Sequence, residues 1–87
     1  MVHKKIRHIL ETDADFKTRM TSQVQDKDAL LELGIVDSFG LIQLIFRLEE
    51  TFGIKVDPDD LKRENFESIH AMAVLVEGKL SGKRERG

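Results

Sequence analysis

Asp37-Ser38 sets a hydroxyl beside a carboxylate at the head of the longest apolar segment of an 87-residue chain. Side-chain catalysis at such a pair would need a base within reach of the hydroxyl, or a second acid across a cleft. The sequence offers neither. His3 and His8 fall in the first helical segment and His70 in the last, and none has metal-ligand spacing, so all three read as surface residues. The chain contains no Cys, which removes disulfides, Cys-ligated zinc and thiolate nucleophiles. Asp57, Asp59 and Asp60 resemble part of a calcium loop but lack its Gly and its closing Glu, and they read as helix caps. Taken by itself, Asp37-Ser38 is also a cap, since Asp and Ser are favoured at helix starts.

The elements that must position these residues are helical. Val2, Ile6, Ile9 and Leu10 share one face of a helix expected over about residues 2–14. A long polar stretch follows, in which Phe16, Met20 and Val24 are either a helical extension or the anchors of a loop. Asp28 is a candidate cap for a single turn through Leu33, and Gly34 a stop. The second helix opens at Asp37-Ser38 and runs to Phe52. Leu41, Ile42, Leu44, Ile45, Leu48 and Phe52 form its expected buried face, and Gly40, Gln43, Arg47 and Glu50 a polar stripe. Phe39, Leu41 and Phe46 exceed what one core face can hold, so at least one of them is expected at the surface, beside that stripe. Gly53 ends the helix. Asp57-Pro58 starts a short third helix to about Arg63, Asn65 and Phe66 interrupt, and Ser68 caps a fourth helix carrying Ile69, Ala73, Val76 and Leu80 on one face. The expected fold is all-α: three main helices and one short helix, with a long loop between the first two. Residues 1–80 form the domain and residues 81–87 a flexible basic tail.

Charge narrows the partners. The net charge of −2 divides into +3 over residues 1–8, −7 over residues 9–80 and +2 over residues 81–87. An acidic body of this kind repels phosphate backbones, which argues against nucleic acid as a partner. No apolar run reaches the roughly 20 residues a membrane span needs, and Met1 to His8 lacks the apolar stretch of a secretory signal, so a cytoplasmic monomer without membrane insertion is expected.

The run Gly34-Ile35-Val36-Asp37-Ser38-Phe39-Gly40-Leu41-Ile42-Gln43-Leu44, followed by Leu48-Glu49-Glu50-Thr51-Phe52-Gly53-Ile54, resembles the signature of acyl carrier proteins and of the related D-alanyl, aminoacyl and peptidyl carriers. The order of elements, including Phe66-Glu67-Ser68-Ile69 before the last helix, resembles that family over nearly the whole chain. The resemblance implies that Ser38 is esterified by 4′-phosphopantetheine, donated from coenzyme A by a phosphopantetheinyl transferase. It also implies that Asp37 caps the helix and orients Ser38, and that Phe39 contacts the arm or a partner. The chain would then be a carrier, not an enzyme, holding an acyl or aminoacyl group as a thioester. An acyl- or aminoacyl-loading ligase and a downstream acyltransferase or synthase would be its partners.

Carriers of this family dock through the second helix, which here makes Gly40, Gln43, Phe46, Arg47, Glu49 and Glu50 the candidate docking residues. Glu49 and Glu50 keep the distal acidic pair, but Gly40 and Gln43 stand where fatty-acid-synthesis carriers commonly have acids, and Arg47 adds a positive charge. Because rim charges select partners, this pattern points to a specialised pathway rather than housekeeping fatty-acid synthesis. Ile42, Ile45, Val56, Leu61, Ile69 and Ala73 would line an acyl-sheltering cleft, or are plain core. The alternative from another class is a small helical protein-interaction module in which Asp37-Ser38 is only a cap.

Overall fold

The computed structural model describes the backbone of residues 2–86 and the side chains of residues 2–81. It is all-α, with no strand among the described residues: α1 Val2–Thr12, α2 Ser38–Phe52, a 3-10 turn Pro58–Asp60, α3 Arg63–Phe66 and α4 Ile69–Arg86. α4 packs against each of the other three helices.

α1 buries Ile6, Ile9 and Leu10, the face its spacing predicts. It stops two residues short of the expected end. The Asp13 carboxylate accepts from the Asp15 N–H at 2.9 Å, a local turn that competes with helical bonding. Phe16, Met20 and Val24 are loop anchors and not a helical extension; each is buried within a chain of turns. Leu30, Ile35 and Val36 are buried with them. Two backbone bonds pin the loop to the entry of α4, Leu30 N–H to Glu67 O at 2.8 Å and His70 N–H to Asp26 O at 2.7 Å. Arg7 adds an ion pair to Asp26 at 2.8 Å. Asp28 does not cap forward: its carboxylate accepts from the Gln25 N–H behind it at 2.9 Å, and the segment up to Gly34 is turn, not helix. Gly34 stops it at φ 78°, where a side chain would be strained.

α2 has defined caps at both ends. Asp37 receives the Gly40 N–H, and Gly53 at φ 65° returns its N–H to Glu49 O. Its buried ridge is Gly40, Leu44 and Leu48. Leu41, Ile45 and Phe52 are half-buried, while Ile42, expected in the core, is 53% exposed. At about 100° per residue, Ile42 lies some 200° around the helix from Leu44 and therefore faces away from α4.

The third helix splits where one was expected over residues 58–63. Leu61 has φ −79° and ψ 64°, an inverse γ-turn that ends the 3-10 turn. Asn65 donates to Asp60 O at 2.8 Å, and Phe66, 1% exposed, is drawn into the core, so both belong to α3 instead of interrupting it. The Ser68 hydroxyl accepts from the Ala71 N–H at 3.0 Å and caps α4, which buries Ile69, Met72, Ala73 and Val76. The α4 backbone is helical to Arg86, six residues past the expected end at Leu80. The side chains of the expected basic tail lie outside the described residues.

Burial on α2 separates two substitutions that the sequence treats alike. Leu48→Ala at a fully buried site is expected to cost roughly 2–5 kcal/mol in urea unfolding, and Ile42→Ala to stay within about 1 kcal/mol. A second expectation concerns pH. The Lys79 ammonium bonds both Asp57, at 2.8 Å, and Asp60, tying the 3-10 turn to α4. Lys79, and secondarily the Asp57 N–H, hold the Asp60 carboxyl below its usual range. Its contribution is therefore present above the unfolded value near 4 and is lost as pH falls through the lower folded value. Melting curves from neutral to acid pH should show Asp60→Asn less stable at neutrality and converging on the parent below about pH 4. A constant gap across that range would remove the ion pair from the account.

Candidate functional site

Ser38 is the first residue of α2 and its side chain is exposed. Asp37 fixes that start. Its Oδ1 accepts from the Gly40 N–H at 2.6 Å, and its carbonyl accepts from the Leu41 N–H at 2.8 Å. Arg19, from the long loop, places Nη1 3.7 Å from Asp37 Oδ2 and 3.4 Å from Gly34 O. The Gly40 N–H first, and the Arg19 charge after it, hold the Asp37 carboxyl below its ordinary range, so it is ionised at neutral pH. The exposed hydroxyl thus stands at the positive end of a capped helix, with an anionic cap already neutralised from the loop side.

Two hollows flank this point. A small one of about 150 Å³ is formed by Asp15, Phe16, Arg19, Ile35, Asp37, Phe39 and Gly40. The other, of about 400 Å³, is lined by Leu31, Gly34, Val36, Asp37, Ser38, Leu41 and Arg63. Phe39 is 69% exposed beside Ser38. It begins a stripe with Ile42 and with Phe46, 58% exposed, at i, i+3 and i+7 on the outer side of α2.

The expected docking residues do not all share that surface. Gly40 is buried under Phe16 and belongs to the core contact, not to a polar stripe. Gln43 is half-buried. Arg47 does not present an isolated charge: its Nε lies 2.6 Å from Asp13 Oδ2 and its Nη1 3.3 Å from Glu50 Oε1, which ties α2 to the loop after α1. The Asp15 N–H, with help from Arg47, holds the Asp13 carboxyl low. Glu49 accepts from the Val56 N–H at 2.9 Å and secures the link after α2. Phe46 and Glu50 face outward.

The six residues expected to line an acyl cleft, or to be plain core, differ in burial. Ile69 and Ala73 are sealed in the core, Ile45 and Val56 are half-buried, and Ile42 and Leu61 are exposed. A groove of about 850 Å³ lies between the α2 exit, the 3-10 turn and α4, with Ile54, Val74 and Leu75 among its walls. His3 and His70, read as scattered, meet across α1 and α4 with Nε2 and Nδ1 3.2 Å apart, and His8 is exposed.

Arg19, Asp13 and Arg63 escaped sequence reasoning. Arg19 and Asp13 pair with Asp37 and Arg47, 18 and 34 residues away along the chain, and Arg63 lines one hollow with Ser38, 25 residues away; no local spacing announces such relations. The Asp-Ala-Asp turn was the one available signal that Asp13 leaves the helix.

A family model described as "Phosphopantetheine attachment site" matches residues 5–76. The chain is also similar to D-alanyl carrier proteins of Streptococcus pyogenes, among them those of serotype M5 (strain Manfredo), serotype M49 (strain NZ131) and serotype M1. Each is 36% identical over 56 residues, covering 64% of this chain and 70% of the relative.

The close approach at Gly40 is testable. A Cβ there would lie 3.1 Å from Phe16 Cε1 and 3.1 Å from Asp37 Oδ1. Phe16 is confined in the core, and Asp37 can yield only by leaving the cap. The overpacking, about 1–3 kcal/mol, should outweigh the roughly 1 kcal/mol helical gain of Ala over Gly. Gly40→Ala is therefore expected to destabilise, whereas Gly78→Ala, whose Cβ meets nothing within 4 Å, should stabilise by about 0.5–1 kcal/mol. Equal gains at both positions in chemical denaturation would contradict the Phe16–Gly40 contact.

Proposed function

The chain belongs to the phosphopantetheine-attachment family of carrier proteins, and from that premise we propose that Ser38 is the residue that carries the group. The family makes 4′-phosphopantetheine the covalent cofactor and the protein a non-catalytic carrier of acyl or aminoacyl groups. When attached, the cofactor supplies the thiol that a Cys-free chain lacks. The residues around Ser38 suit it. An exposed hydroxyl is open to a transferase, the start of a 15-residue helix favours a phosphodiester, and Arg19 offsets the Asp37 carboxylate that would otherwise repel one. The single observation that carries the assignment is the exposure of Ser38 at the capped start of α2.

The cargo we propose is an aminoacyl group, loaded by an adenylating ligase and passed to a downstream acyltransferase in a specialised pathway. The feature that supports it is the likeness to D-alanyl carriers. Docking in this reading uses Phe39, Ile42 and Phe46, rimmed by Glu50, so a partner would present an apolar patch edged with basic residues. Contact would be brief, since a carrier must leave one enzyme for the next. A phosphopantetheinyl transferase using coenzyme A would modify the chain in the cytoplasm, where it would act as a monomer. No helix among the described residues is long and apolar enough to cross a membrane.

Intact mass after incubation with coenzyme A and a broad-specificity phosphopantetheinyl transferase tests the site. The parent should gain one phosphopantetheine and Ser38→Ala none; a gain in the folded variant would move attachment to another hydroxyl. Offering the modified protein to ligases with amino-acid and fatty-acid substrates then tests the cargo, and efficient loading with fatty acids alone would overturn the aminoacyl reading.

A further inference from the structure

Arg63 is a cation without a described use. It is exposed on α3, makes no ion pair or hydrogen bond among the described residues, and lines the same hollow as Ser38. The nearest acid in that hollow, Asp37, is already engaged by the Gly40 N–H and by Arg19 from the opposite side. The remaining walls are apolar: Leu31 and Leu41 are half-buried and Val36 is buried. An arginine and apolar side chains lining one hollow with an exposed hydroxyl match a group that begins with a phosphodiester and continues through a gem-dimethyl carbon.

We infer that Arg63, with Leu31, Val36 and Leu41, forms a parking site for the Ser38-linked arm: Arg63 pairs with the phosphodiester, and the three apolar side chains cover the segment beyond it. The inference rests on Ser38 as the attachment residue. Arg63 acts here as a positioning residue, holding the arm toward α3 until docking draws it away. The pair is exposed and correspondingly weak, which suits a site that must release the arm at each encounter. It also sets a polarity on the carrier. Arg63 shares a hollow with Ser38, whereas Arg19 lines a separate hollow without Ser38 and is committed to Asp37, so the arm leans toward α3.

The experiment compares 15N-labelled apo and phosphopantetheinylated protein for the parent, Arg63→Gln and Arg63→Lys, with intact mass confirming one attached group in each. In the parent, attachment is expected to shift the amides of Leu31, Gly34, Val36, Leu41 and Arg63 in addition to those next to Ser38. Arg63→Gln should lower the parked-to-free ratio roughly two- to fivefold, the size of an exposed ion pair, and Arg63→Lys should restore part of it. Raising salt to about 0.5 M should mimic the Gln variant. Shifts confined to residues 38–40 in the parent, or shifts at Leu31 and Leu41 unchanged by Arg63→Gln, would overturn the parking site while leaving attachment at Ser38 intact. Absence of the mass gain in the parent would instead remove attachment at Ser38, and the parking site with it.

Discussion

Phe16 lies so close to Gly40 that a Cβ there would meet its ring at 3.1 Å, and the Asp37 carboxylate closes the same small space from the helix end. Three segments of different origin meet there: a loop anchor, a cap and the first turn of α2. A helix start fixed only by its cap could slide by a residue or rotate, because capping is local and worth little. With Phe16 buried against Gly40, α2 has one rotation available. That rotation turns Leu44 and Leu48 inward toward α4, and it turns Phe39, Ile42 and Phe46 outward. Exposure of Ser38 and the character of the α2 surface are both consequences of it.

The long loop is held by buried side chains and a few long-range bonds instead of helical hydrogen bonding. Phe16, Met20, Val24, Leu30, Ile35 and Val36 are inserted one by one into the core, and backbone bonds from Leu30 and His70 fasten the chain to the head of α4. Arg47–Asp13 and Arg19–Asp37 then brace α2 from the loop side. At the opposite end of α2, Glu49 bonds the Val56 N–H, and Lys79 holds the 3-10 turn. Charges that suggest a docking stripe along the sequence are therefore largely occupied in keeping the bundle assembled. What remains free on the outer side of α2 is apolar, with Glu50 at its edge, and this changes the kind of surface a partner meets.

A carrier divides its labour between an attachment point and a docking surface. With attachment at Ser38 as proposed, the chemistry would be confined to a single hydroxyl reachable from solvent, and selectivity would be left to one face of one helix. A tether attached at a rigid helix start raises the effective concentration of cargo at whichever active site the helix docks. Rigidity at the base and freedom at the tip are complementary requirements, and the caps and anchors around Asp37 supply the first.

The sequence alone determined that the protein is helical and where α2 and α4 begin, and it singled out Ser38 as the candidate attachment residue. Each of these rests on local signals: apolar period, cap residues, Gly at a positive-φ stop, and the Gly34 to Ile54 motif run. It determined the core of α1 for the same reason, since one dominant apolar face leaves no choice. Only the tertiary structure decided which side of α2 faces inward. Apolar residues surround that helix, so its pattern fits more than one rotation, and Phe16 against Gly40 selects among them. It alone placed Ile42 outside and Gly40 inside, joined Arg47 to Asp13, and set Arg63 and Ser38 on one hollow. Those relations span tens of residues, and no local propensity encodes a distance through space.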